Sequence, residues 1–120
     1  MKTKLTVNDR MALMELYPID RVGSFATHKT IDGIRGRLLI GAKESKVLKW
    51  KEVRDPKTDE LTRHQWDQTK DGKEGKGKEF EWDSVELKLI RQDLEALDQK
   101  EELKSYHLPL FERFVNGQSD

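Results

Sequence analysis

Asp83-Ser84-Val85-Glu86-Leu87-Lys88-Leu89-Ile90-Arg91-Gln92-Asp93-Leu94-Glu95-Ala96-Leu97 is the most decisive stretch of the chain. Leu87, Ile90, Leu94 and Leu97 recur at spacings of three, four and three, and Leu89 widens the stripe. That period puts the apolar side chains on one face of an α-helix and the charged ones on the other. Asp83 with Glu86 three residues on reads as a capping box, with Asp in the place usually taken by Ser or Thr. Such a helix needs a second layer to pack on, and the neighbouring segments supply it.

On its N-terminal side, Phe80-Glu81-Trp82 alternates as a short strand with both rings on one face. Residues 71–78, rich in lysine and containing Gly72, Gly75 and Gly77, predict a flexible loop. Before it, Trp50 and Val53 lead through the turn Asp55-Pro56-Lys57-Thr58-Asp59 to a second strand over Leu61–Trp66, a β-hairpin. Residues 42–48 predict a short helix. Ile31, Ile34 and Leu38 predict another, opened by Thr27 or Thr30 and ending near Gly41. Gly33 and Gly36 weaken it, at up to about 1 kcal/mol each relative to alanine, unless a neighbouring helix crosses closely there.

The first helix opens at Thr6, whose hydroxyl caps free N–H groups while Asp9 faces the positive helix end. Its apolar face is Val7, Met11 and Met14, widened by Leu13, Leu16 and Tyr17, and Pro18 stops it. After a loop over Glu101–Ser105, Pro109 sits in the first turn of a last helix with Leu110, Phe111, Phe114 and Val115 on its apolar side. Asn116-Gly117 ends it, with the glycine suited to a left-handed cap. The expected fold is α+β: a single domain over 1–120, with helices plus a β-hairpin in 1–82 and C-terminal amphipathic helices in 83–117. Three helices followed by a hairpin is the order of a winged-helix topology.

The 120 residues carry 23 basic and 23 acidic side chains, with 38% charged and 34% hydrophobic. That leaves enough apolar surface for one modest core. Zero cysteines exclude disulfides, thiolate metal sites and a cysteine nucleophile. No apolar run reaches the roughly 18–20 residues of a membrane span, and the start lacks a secretory signal's apolar stretch. The charge is not evenly laid out. Residues 1–41 hold seven basic and four acidic groups, residues 42–78 eleven and eight, and residues 79–120 five and eleven. A cationic front and an anionic rear suit charge-complementary docking, including self-association.

Motifs that carry chemistry fail on particular residues. Residues 72–79 have the spacing of a phosphate-binding loop as far as Lys78, but Glu79 stands where a hydroxyl must meet magnesium. Asp67–Gly72 resembles the start of a calcium loop, but Thr69 replaces its second acidic ligand and Lys78 its closing Glu. His28, His64 and His107 share no ligand spacing and read as surface or cap residues. No serine lies in a Gly-x-Ser-x-Gly turn. The expectation is no enzyme, no metal and no cofactor.

A basic, aromatic-bearing segment remains: Lys43, Lys46, Lys49, Trp50, Lys51, Arg54, Lys57 and Arg63. On a winged helix these would cover the third helix and the wing, where DNA phosphates are held. Glu44, Glu52, Asp55, Asp59 and Glu60 are interleaved and would repel the same phosphates. In the competing reading, Trp50, Trp66 and Trp82 pack the strands against the helices and the lysines are simply solvated.

Three further stretches carry a resemblance: Leu5-Thr6-Val7-Asn8-Asp9-Arg10 with Leu16-Tyr17-Pro18, then Gly23-Ser24-Phe25-Ala26-Thr27, and His107-Leu108-Pro109-Leu110-Phe111-Glu112-Arg113-Phe114-Val115. Their wording resembles a group of short, uncharacterised proteins encoded by tailed bacteriophages, and residues 42–82 depart from it most. The resemblance implies a phage product acting in the host bacterial cytoplasm or the virion, and it carries over no site residue. The functional expectation is a non-enzymatic protein that binds a phage structural protein or a host factor. The alternative is a winged-helix DNA-binding regulator.

Overall fold

A computed structural model of the chain describes residues 1–71 and 77–117. The elements are β1 (Lys2–Leu5), α1 (Val7–Met14), α2 (Phe25–Leu38), α3 (Ala42–Leu48), β2 (Lys51–Arg54), β3 (Leu61–Gln65), β4 (Lys78–Glu81), α4 (Ser84–Gln99) and α5 (Leu108–Phe111). Two 3₁₀ turns, Gln68–Lys70 and Ser105–His107, and a π-helical turn at Glu112–Asn116 complete the path. The α+β class is as expected.

Two separate two-stranded antiparallel sheets form. The β2–β3 hairpin is the predicted one, ending at Gln65 rather than Trp66. The other joins β4 to the extreme N-terminus, with Thr3 opposite Phe80 and Leu5 opposite Lys78. The sequence reading has no strand at Lys2–Leu5. Thr3 and Leu5 alternate inward there, and Thr3 Oγ1 accepts the Trp82 indole N–H at 2.8 Å. Gly77 makes the approach to this sheet: its φ is +93°, and a Cβ there would stand 2.6 Å from the Leu5 carbonyl.

The core lies between this sheet and helices α1, α2, α4 and α5. Leu5, Leu13, Tyr17, Ile34, Ile90, Leu94, Leu110 and Phe114 are fully buried in it. Each large apolar side chain so buried contributes about 1.5–3 kcal/mol of transfer free energy. Phe80 and Trp82 stack on one face as predicted, and Phe114 meets Trp82 edge-on with ring centroids 5.8 Å apart. On α4, the Asp83–Glu86 capping box forms in both directions, and Leu87, Ile90 and Leu94 face inward.

Three readings need correction. The buried residues of α1 are Val7, Asp9, Arg10, Ala12 and Leu13, with Tyr17 buried beyond the helix's end at Met14, whereas Met11 is exposed and Met14 only half-buried. Arg10 takes the core position because its polar head finds acceptors inside the fold. Helix α2 starts at Phe25, not Thr27 or Thr30, because Ser24 accepts the Thr27 N–H and caps it a turn earlier; it ends at Leu38. Gly117 has φ −85°, so it makes no left-handed cap. Its lack of a Cβ instead lets the Arg113 carbonyl close to 2.8 Å of that position. Of the predicted 71–78 loop, only the ends are described. Asp71 is buried, Gly77 N–H donates to its carbonyl, and Lys78 opens β4. Residues 72–76 lie outside the described residues.

Candidate functional site

The β2–β3 hairpin forms an arm. Its strands pair chiefly with each other, and the protein is correspondingly extended. The radius of gyration is 15.4 Å, against about 13.6 Å for a compact chain of this length.

Two sets of contacts and one backbone turn fix the root of the arm. Arg10 is only 1% exposed. It forks to the carbonyls of Leu38 and Leu39 and to both carboxylate oxygens of Glu44, tying α1 to the end of α2 and the start of α3. Asp67 N–H donates to the Leu48 carbonyl at 2.7 Å, closing the hairpin base. Lys49 ends α3 in the left-handed region at φ 55°, a strained conformation for a non-glycine residue, and turns the chain into β2.

Trp50 and Trp66 stack there at 5.1 Å, 11° from parallel, and His64 sits 5.0 Å from Trp50. The Trp50 indole N–H donates to His64 Nδ1 at 3.1 Å, so the ring proton of neutral His64 is on Nε2. Of the three tryptophans in the competing reading, only Trp82 joins the main core. Trp50 and Trp66 stiffen the arm instead.

Directly opposite residues of an antiparallel pair share a face. The register Lys51↔Gln65, Glu52↔His64 and Val53↔Arg63 therefore sorts the charges. Lys51 and Arg63 stand on one side, Glu52 on the other. Glu52 pairs with Arg54 at 2.8 Å, and Arg54 also donates to the Asp59 carbonyl. Glu44 is taken by Arg10. Asp55 accepts the Lys57 N–H in the arm's turn, with Asp59 and Glu60 beside it at the tip. The interleaved acids that oppose phosphate binding in the sequence are thus partly neutralised or displaced.

The predicted basic residues separate into groups. Lys43 and Lys46 lie exposed on α3, Lys57 is exposed in the tip turn and Arg54 pairs with Glu52 on the arm. Trp50 is half-buried. Lys49, Lys51 and Arg63 converge on a hollow of about 490 Å³ completed by His64, Gln65, Trp66 and Gln68. None of the three cations is in an ion pair among the described residues. Asp67, the nearby carboxylate, is turned to the Thr69 hydroxyl and N–H, and these bonds, with the charges of Lys49 and Lys70 adding, hold it below the usual carboxylate range.

A second concavity lies between arm and body, a groove of about 530 Å³ lined by Met11, Met14, Leu39, Ile40, Trp50 and His64 among others. Met11 is 40% and Leu39 62% exposed at its edge. The sequence reading missed this groove. Its one available signal was Leu39-Ile40, two apolar residues running on past the helical stripe.

Among the described residues, no group of three or more His, Asp or Glu side chains is placed to hold a metal ion, and no helix is long and apolar enough to cross a membrane. The hairpin joins no third strand among those residues, so the helix–helix–helix–hairpin order exists without a shared sheet. No family model matches the chain, and neither a curated protein nor a solved structure matches it.

Proposed function

We propose that this chain is a non-enzymatic interaction protein that binds another protein through the groove between arm and body. The observation that carries the reading is the exposure of Met11 and Leu39 beside Ile40 and Trp50, in a concavity large enough for side chains of a partner. Contiguous exposed apolar surface with a polar margin marks association sites. Methionine and tryptophan suit them, the first by adapting its shape and the second by its large rigid area. Glu15 and His64 give the groove a polar edge that would fix the partner's orientation. The resemblance to short tailed-phage proteins points to a partner among phage structural proteins or host factors, met in the host cytoplasm or the virion.

Affinity purification from phage-infected cells, followed by mass spectrometry, tests the reading. One partner should be retained by the wild-type protein and lost with Leu39→Glu, whose charge would sit in the apolar contact. A protein that stays alone and monomeric at every stage of infection overturns it.

A further inference from the structure

We infer that the basic hollow on the arm binds single-stranded nucleic acid, with backbone phosphates on Lys49, Lys51 and Arg63 and a base laid on Trp66. This goes beyond the protein-binding groove: His64 borders both concavities and Trp50 of the groove backs Trp66, but Lys49, Lys51, Arg63 and Trp66 line the hollow alone.

Charge complementarity identifies the ligand. Three cations of the hollow stand without an ion-pair partner among the described residues, and no carboxylate lines it. Elsewhere in the described structure Lys2, Arg10, Arg21, Arg37, Arg54 and Arg113 are each paired with a carboxylate, while other unpaired cations such as Lys43, Lys46 and Lys57 do not line the hollow. With Asp67 near Lys49 but outside the lining, the hollow gathers three cations and no carboxylate in a chain of zero net charge.

The aromatic group separates a single strand from other anions. Trp66 is stacked on Trp50 and also lines the hollow. A backed aromatic ring beside cations is the arrangement on which unpaired bases stack while their phosphates are held. In a duplex the base faces are covered by their neighbours, and Trp66 would contribute nothing. An acidic protein surface would use the cations and leave the ring idle. Gln65 and Gln68 add amide donors and acceptors to the lining of the hollow.

The test is fluorescence anisotropy with a labelled oligothymidylate of about 15 nucleotides, a length within the usual range of such sites. Three phosphate contacts to a single strand predict a slope of about −2 for log K against log salt. The Lys51→Gln/Arg63→Gln double variant should bind at least about tenfold more weakly. Both positions are exposed, and an unchanged melting curve confirms the variant's fold. Tryptophan emission should be quenched on binding. Leu39→Glu should bind the oligonucleotide like wild type, which separates this site from the groove. Absence of binding at about 50 mM salt overturns the inference. So does a double variant with wild-type affinity, equal affinity for a duplex of the same length, or capture of polyglutamate in place of the oligonucleotide.

Discussion

Arg10 and Glu44 form a two-pronged ion pair, Nη1 to Oε2 at 2.5 Å and Nη2 to Oε1 at 3.1 Å. The arginine also lies 5.1 Å over the Phe80 ring and satisfies the carbonyls of Leu38 and Leu39. Arg10→Met therefore strips donors from two backbone acceptors and leaves Glu44 unpaired, at about 3 kcal/mol. Glu44→Gln keeps the backbone contacts and one side-chain acceptor, so it should cost only about 1–2 kcal/mol. Urea unfolding followed by tryptophan emission measures both. Equal losses would show that the backbone contacts of Arg10 contribute nothing.

Asp71 accepts the Val7 N–H at 2.7 Å, across 64 residues, at the N-terminus of α1. Burial raises its pKa above 3.8 despite that bond and the nearby Arg10, with Glu44 and Asp9 adding to the rise. The folded protein thus holds the proton more tightly than the unfolded chain. The contribution of Asp71 is most favourable below 3.8 and declines as pH rises through its folded value. Asp71→Asn keeps an acceptor for Val7 without the charge. Its stability relative to wild type should grow on going from about pH 3.5 to about pH 7, whereas Asp71→Ala should be less stable than Asp71→Asn throughout. A pH-independent difference between the Asp71→Asn variant and the wild-type protein would refute the burial argument.

His107 has the opposite dependence. It is 5% exposed, its Nδ1 accepts the Lys104 N–H at 3.0 Å, and burial pushes its pKa below 6.5 against the pull of Glu15. The unfolded chain takes up a proton first as pH falls. Stability is therefore full above 6.5 and lost as pH drops from there through the folded value. His107→Gln, which retains an acceptor, should flatten the thermal-midpoint profile below pH 6.5, and an unchanged profile would assign the acid sensitivity elsewhere.

How much of this was legible follows from the range of the signals. Helix α4 was plain, because its stripe and the Asp83–Glu86 box are local. Strand β1 was not: Lys2-Thr3-Lys4-Leu5 is four residues long and mostly polar, and its partner Lys78–Glu81 is remote in sequence, with α1, α2, α3 and the β2–β3 hairpin between them. Arg10 was passed over because periodicity counts apolar residues, and a buried arginine breaks the count. The basic segment was visible as composition. What sorts it into a face is strand parity, which puts Lys51 and Arg63 together and Glu52 opposite, and the bulge between Val53 and Arg54 interrupts that parity. The groove was hidden, since it joins α1, the end of α2 and the arm.

The two glycines of α2 offer a sharper test of the packing. The sequence allowed their spacing to mark a close helix crossing, and only one of them does so. A Cβ at Gly33 would stand 3.1 Å from Glu86 Oε2 on α4, whereas a Cβ at Gly36 would meet nothing within 4 Å. Glu86 cannot easily yield: its Oε1 accepts the Asp83 N–H and pairs with Arg37, and the residue is 3% exposed. Gly36→Ala should therefore stabilise the protein by about 0.5–1 kcal/mol, the helix-propensity gain at an open position. Gly33→Ala has the same propensity gain but must displace a pinned carboxylate, so its net effect should be at least about 0.5 kcal/mol less favourable. Chemical denaturation of the two variants side by side decides the matter. Equal gains would mean that α2 and α4 are not held together at Gly33 and Glu86.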